Sequence, residues 1–122
     1  MAVVAVGLAA ATMAGSAPAL AEGSWSSYIK EWGLNSESRR WTDNHLDRAA
    51  TTVTLSKCNF YGDGGTDIGL FRDISFQPDA KFGAQVNICS TSNWGEMKTK
   101  GSYYFKKTSS GKLSATTVTT RY

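Results

Sequence analysis

Ala50-Thr51-Thr52-Val53-Thr54-Leu55-Ser56-Lys57-Cys58-Asn59-Phe60 is the stretch whose reading decides the fold class. Its β-branched residues crowd together between positions 51 and 54, and Val53 and Leu55 share one face of an extended chain. That pattern belongs to a half-buried strand. Strict alternation puts Cys58 on the face opposite Val53 and Leu55, so a bulge near Lys57, or a break before the cysteine, is expected to turn it inward.

The same rhythm continues downstream. Residues 61–67, Tyr-Gly-Asp-Gly-Gly-Thr-Asp, form a loop by composition. Residues 68–76 read as a strand with Ile68, Leu70 and Ile74 on one side, and Pro78-Asp79 starts a turn. In residues 82–89, Ala84, Val86 and Ile88 alternate with Gln85 and Asn87. Residues 90–95, which hold Trp94, are loop-like. Residues 102–108 carry Tyr103 and Phe105 on one face and Tyr104 on the other, and Ser109-Ser110-Gly111 reads as a hairpin turn completed by a last strand over 113–122. Upstream, residues 38–42 are short enough for an edge, and Asp43 to Asp47 has turn chemistry. Six or seven short strands without a strong long helix predict an all-β domain over 38–122, a small β-sandwich or barrel.

Residues 22–37 read as an aromatic N-terminal arm. Trp25, Tyr28 or Ile29, and Trp32 recur at helical spacing, while Gly23, Gly33 and the serines weaken a helix, so both a short helix and an extended arm stay open. Large aromatic side chains in a terminal segment must be covered by their own domain or by a partner. Trp25, Tyr28, Ile29 and Trp32 are therefore the candidate partner-binding residues.

Residues 1–21 differ in kind. No charge occurs from Ala2 to Ala21, a short apolar run of valines, Leu8 and alanines leads to Gly15, Ser16 and Pro18, and Ala19-Leu20-Ala21 offers small residues at −3 and −1. The segment reads as an export signal cut before Glu22, although it lacks the usual basic start. An exported chain with two cysteines permits a single pairing, Cys58 with Cys89. The net charge of +3 is spread from Lys30 to Arg121 without a dense basic stripe, so nucleic acid is not an expected partner, and neither is stable membrane insertion once the signal is removed.

Chemistry is sparse. The single histidine, His45, sits in a turn beside Asp43 and Asp47, where a Ser-His-Asp arrangement has no support. Asp63, Asp67, Asp73 and Asp79 lie in turn-like contexts suited to capping, not to a pair of catalytic carboxyls. The Gly62-Asp67 segment does not fit the spacing of a calcium loop, and two thiols with one histidine do not complete a zinc site. No catalytic residue, metal or cofactor is expected. Aromatic richness points instead to binding, since Tyr and Trp give large contact area with few rotors to freeze.

Several clusters together carry a resemblance: Ser38-Arg39-Arg40-Trp41-Thr42-Asp43, Leu70-Phe71-Arg72-Asp73-Ile74-Ser75-Phe76 with Pro78-Asp79, Cys89 with Trp94-Gly95, Gly101 with Tyr103-Tyr104-Phe105, and the closing Val118-Thr119-Thr120-Arg121-Tyr122. Over most of 38–122 the chain resembles a group of small secreted actinobacterial β-sandwich proteins, in which we include the adaptor subunit of umbrella toxin particles. The resemblance implies a sandwich that links a lectin-like or protease-like subunit to a large toxin polypeptide, with the arm docking in a partner's cleft and no catalytic residues to carry over. Removal of residues 22–36 is then expected to leave a folded domain without partner capture. Alternative readings are a secreted peptidase inhibitor, which would present residues 62–67 or 90–95, and a stand-alone sugar-binding or antimicrobial protein.

Overall fold

The computed structural model describes residues 21–122; the expected export signal therefore lies, but for Ala21, outside the described residues. Eight strands form two four-stranded antiparallel sheets, and no helix occurs among the described residues. The first sheet has the order β1 (Ser24–Trp32), β8 (Leu113–Arg121), β3 (Ala50–Asn59), β6 (Thr91–Glu96). The second has the order β2 (Trp41–Asp43), β7 (Gly101–Lys107), β4 (Thr66–Asp73), β5 (Ala80–Asn87). The protein is a small β-sandwich.

In the central strands the core is what alternation predicts, whereas over 82–89 the faces are reversed: Ala84, Val86 and Ile88 are exposed and Asn87 is fully buried. Val53 and Leu55 of β3 and Leu113, Ala115 and Val118 of β8 meet Ile68 and Leu70 of β4 and Tyr103 and Phe105 of β7, all essentially fully buried. Interior Lys107 is also buried, and its ammonium is satisfied by donating to the carbonyls of Ser109 (2.5 Å) and Ser110 (2.7 Å). Burial still pushes its pKa below the usual lysine range, because desolvation penalises the charged form.

The expected irregularity at Lys57 is present, and it has a counterpart. Lys57 is exposed at a φ of 53°, after which Cys58 turns to pack on the core. Across the pair, Ala115 is inward, Thr116 and Thr117 are exposed, and Val118 is inward again. Both strands switch faces at the same level, so the register holds from Thr52↔Arg121 to Asn59↔Ser114. The Cys58–Cys89 disulfide, with Cα atoms 5.7 Å apart, ties β3 of the first sheet to the turn after β5 of the second.

The structure differs from the sequence reading in several places: residues 109–111 carry the chain from one sheet to the other and close no hairpin, since β7 and β8 do not pair, and two further segments raise the strand count to eight. Residues 90–95, read as a loop, lie largely in β6, a polar edge strand whose turn-favouring residues hydrogen-bond to its neighbours. Residues 22–37 are not an arm outside the body. Their larger part is β1, paired along β8 from Ser24↔Arg121 to Trp32↔Leu113. Its start is tied down as well: Glu22 accepts from the backbone N–H groups of Asn44 (2.8 Å) and Leu46 (3.0 Å), and Gly23 exchanges two backbone bonds with Tyr122. The strand expected over 68–76 ends at Asp73, and Phe76 stands fully exposed on the hairpin tip at a φ of 63°.

Candidate functional site

A sandwich has two seams where the edges of its sheets face each other, and here they differ. On one side β5 and β6 are stitched together. The Gln85 side chain both donates to the Asn93 carbonyl (2.6 Å) and accepts from the Asn93 N–H (2.9 Å), and the Trp94 indole donates to the Gly83 carbonyl (2.9 Å). On the other side β1 faces the segment before β2, which runs along β7 through Ser36, Glu37 and Ser38. Glu22 bridges this seam only at its outer end, to Asn44 and Leu46; between Trp25 and Trp32 no hydrogen bond links β1 to the facing segment among the described residues. A cleft of about 130 Å³ opens in it.

The cleft is built from the strand period and one local break in it. Trp25 and Ile29 face inward by alternation, as Ser27 between them does, but the small serine leaves a gap above Val118. Glu31, at a φ of 50°, then shifts the parity of β1 and turns Trp32 inward out of step. Trp25 stacks on Phe105 with ring centroids 6.0 Å apart, and Trp32 meets the same ring at 5.7 Å. Those two indoles wall the cleft, with Phe105 at its base.

The four sequence-predicted residues thus share a strand but not a face. Ile29 is buried in the core, Trp25 and Trp32 are half-buried against it, and Tyr28 points outward with 68% of its surface exposed. Helical spacing brought them to attention, and the same 4-and-3 spacing arises here from a strand whose alternation slips at Glu31. Arg39 was missed as a site residue. Its guanidinium lies 5.1 Å from the centroid of the Trp25 ring, at the cleft wall. The sequence signal available was only its place in the Ser38–Asp43 cluster, ahead of a core tryptophan, Trp41.

Charge around the seam is unevenly compensated. Arg40 holds Asp73 (2.8 Å) and Glu37 (3.0 Å) while lying 4.0 Å over the Tyr104 ring, and Lys112 pairs with Glu31 (3.4 Å). Arg39 and Lys30 have no carboxylate partner among the described residues.

The residues considered for catalysis are dispersed. His45 is exposed, its Nδ1 3.8 Å from Glu96 Oε2, and its backbone N–H donates to Asp43. Burial, and next to it the Glu22 and Asp47 carboxylates, push the Asp43 carboxyl above its usual range, while the His45 N–H pulls the other way. Asp63 and Asp67 border a shallow hollow with Ser109 and Ser110. No three His, Cys, Asp or Glu side chains converge in a metal-binding arrangement among the described residues. Comparison with protein-family models, with curated proteins and with solved structures finds no match, so the reading of the open seam rests on its own geometry and chemistry.

Proposed function

We propose that the protein is a secreted, non-catalytic binding module that captures another secreted protein along the free edge of β1. The observation that carries this reading is the asymmetry of the seams: one is closed along its length by side-chain bridges, the other is bridged only at the Glu22 end and keeps an open backbone edge beside an aromatic cleft. An edge strand presents unpaired N–H and C=O groups to which an extended segment adds, and neighbouring hollows select its side chains. The charges of Lys30 and Glu31 and the register shifts of β1 blunt indiscriminate pairing without covering the edge. The disulfide agrees with an oxidising compartment. Following the family resemblance, the module is a structural subunit of an extracellular antibacterial toxin complex, joining a lectin-like or protease-like subunit to a large toxin polypeptide.

The partner meets a composite of β1 edge, Tyr28 and cleft, so the test removes what the fold does not need. Affinity purification of the tagged protein from native culture supernatant, quantified by mass spectrometry, compares wild type with Tyr28→Ala/Arg39→Ala. Both residues are exposed, and the double variant is expected to keep its melting temperature. Its partner yield is expected to fall at least about tenfold, as loss of an aromatic and an arginine anchor implies. Undiminished capture rules out the β1 seam as the docking site.

A further inference from the structure

We infer that Arg39, laid on the Trp25 indole at the wall of the cleft, is a receptor for an acidic side chain, and that the segment docking on β1 is an extended strand carrying Asp or Glu at that point. The inference rests on the β1 docking reading and adds the chemistry of the partner.

A guanidinium is a flat group. Its donors all lie in the plane of the group, and the faces above and below have none. Arg39 sits over the Trp25 ring at 5.1 Å from the centroid, a cation–π arrangement. No carboxylate engages it there among the described residues, so its N–H fork is left for one, with part of the side-chain freedom already spent on the ring. Trp25 is itself fixed, stacked on Phe105 and tilted against Trp41 at 5.8 Å.

Adjacent Arg40 shows what a satisfied arginine on this surface looks like. It too lies over a ring, that of Tyr104, and it also holds Asp73 and Glu37. Arg39 has the ring without the acids. Glu37, the cleft's own acidic residue, is engaged by Arg40, and Glu31 of β1 by Lys112. Lys30, on the same strand as Tyr28, likewise has no carboxylate partner among the described residues. At the cleft the free charge is therefore positive, complementary to an acidic side chain.

Three amidated or free ten-residue peptides of alternating Thr and Val with a central Phe test this by titration into isotope-labelled full-length mature protein, followed through backbone amide shifts. One carries Glu beside the Phe and an amidated C-terminus, the second Gln in its place with the same amide, the third Gln with a free C-terminal carboxylate. The Glu peptide is expected to bind about fivefold more tightly than its Gln amide counterpart and to shift β1 amides and the Arg39 side chain. Arg39→Gln is expected to erase that difference while leaving the weaker Gln binding unchanged. Equal binding of the Glu and Gln amides to wild type overturns the acidic-receptor inference and leaves β1 docking standing. Preference for the free C-terminal carboxylate alone overturns it in favour of a chain terminus. Absence of β1 shifts with every peptide overturns both readings.

Discussion

Asp79 shows how one carboxylate fixes a hairpin. One oxygen accepts the N–H of Ile74 across the β4–β5 turn at 3.1 Å, and the other accepts the Tyr104 hydroxyl from β7. The Tyr104 hydroxyl first, and the Ile74 N–H after it, hold the Asp79 carboxyl below the usual range. The Tyr104 hydroxyl is pushed up, by burial first and by Asp79 second. A carboxyl whose pKa is depressed in the folded state stabilises the fold above its unfolded value near 4, and that contribution is lost as pH falls through the folded value. Asp79→Asn is therefore expected to lower the melting temperature at pH 7 and to flatten its decline below about pH 4 relative to wild type. A series of thermal melts from pH 7 to pH 2 checks both; parallel curves would remove Asp79 from the acid limb. The same carboxylate stiffens the base of the turn that carries exposed Phe76.

Among the elements, β1 has the largest consequence for how the molecule is perturbed. Ile29 is 4% exposed and belongs to the core, with Trp25 and Trp32 packed beside it. Ile29→Ala is expected to cost about 2–4 kcal/mol, read as a lower urea midpoint at unchanged slope. Deleting residues 22–36 removes an entire strand and exposes β8, so it is expected to abolish the cooperative unfolding transition. Such a deletion reports on folding, not on docking, which is why the seam is better probed by Tyr28 and Arg39. Sequence made the central strands legible because Val53, Leu55, Ile68, Leu70, Tyr103 and Phe105 alternate cleanly and all face one core. The edges were harder. β6 is written Thr-Ser-Asn-Trp-Gly-Glu, turn-forming residues whose strand state depends on Gln85 and Gly83 of another sheet. β1 hides its period because Ser27 stands at an inward position and Glu31 breaks the alternation. The candidate site was half legible for the same reason: aromatic spacing singled out β1, whereas the approach of Arg39 to Trp25 depends on pairing between distant segments.

For the molecule as a whole, long-range pairing dominates. β1 meets β8 across nearly the full length of the described chain, and of consecutive strands only β4 and β5 pair with each other. Little is gained until distant segments meet, so a covalent link that shortens the search stabilises the whole. Cys58 and Cys89 are 31 residues apart, and the loop-closure model assigns such a bridge about 3–4 kcal/mol. Cys58→Ser/Cys89→Ser is expected to lose about that much in urea unfolding, and reduction of the wild type to approach the same midpoint. An unchanged midpoint in the double variant would show that the sheets hold each other without the bridge. The matched face switches of Lys57 in β3 and of Thr116 and Thr117 in β8 constrain the gene as well as the fold. Straightening one strand by losing a single codon would turn half its side chains to the wrong face, unless the other strand lost one at the same level. The two irregularities are therefore expected to tolerate the loss of a residue together but not singly.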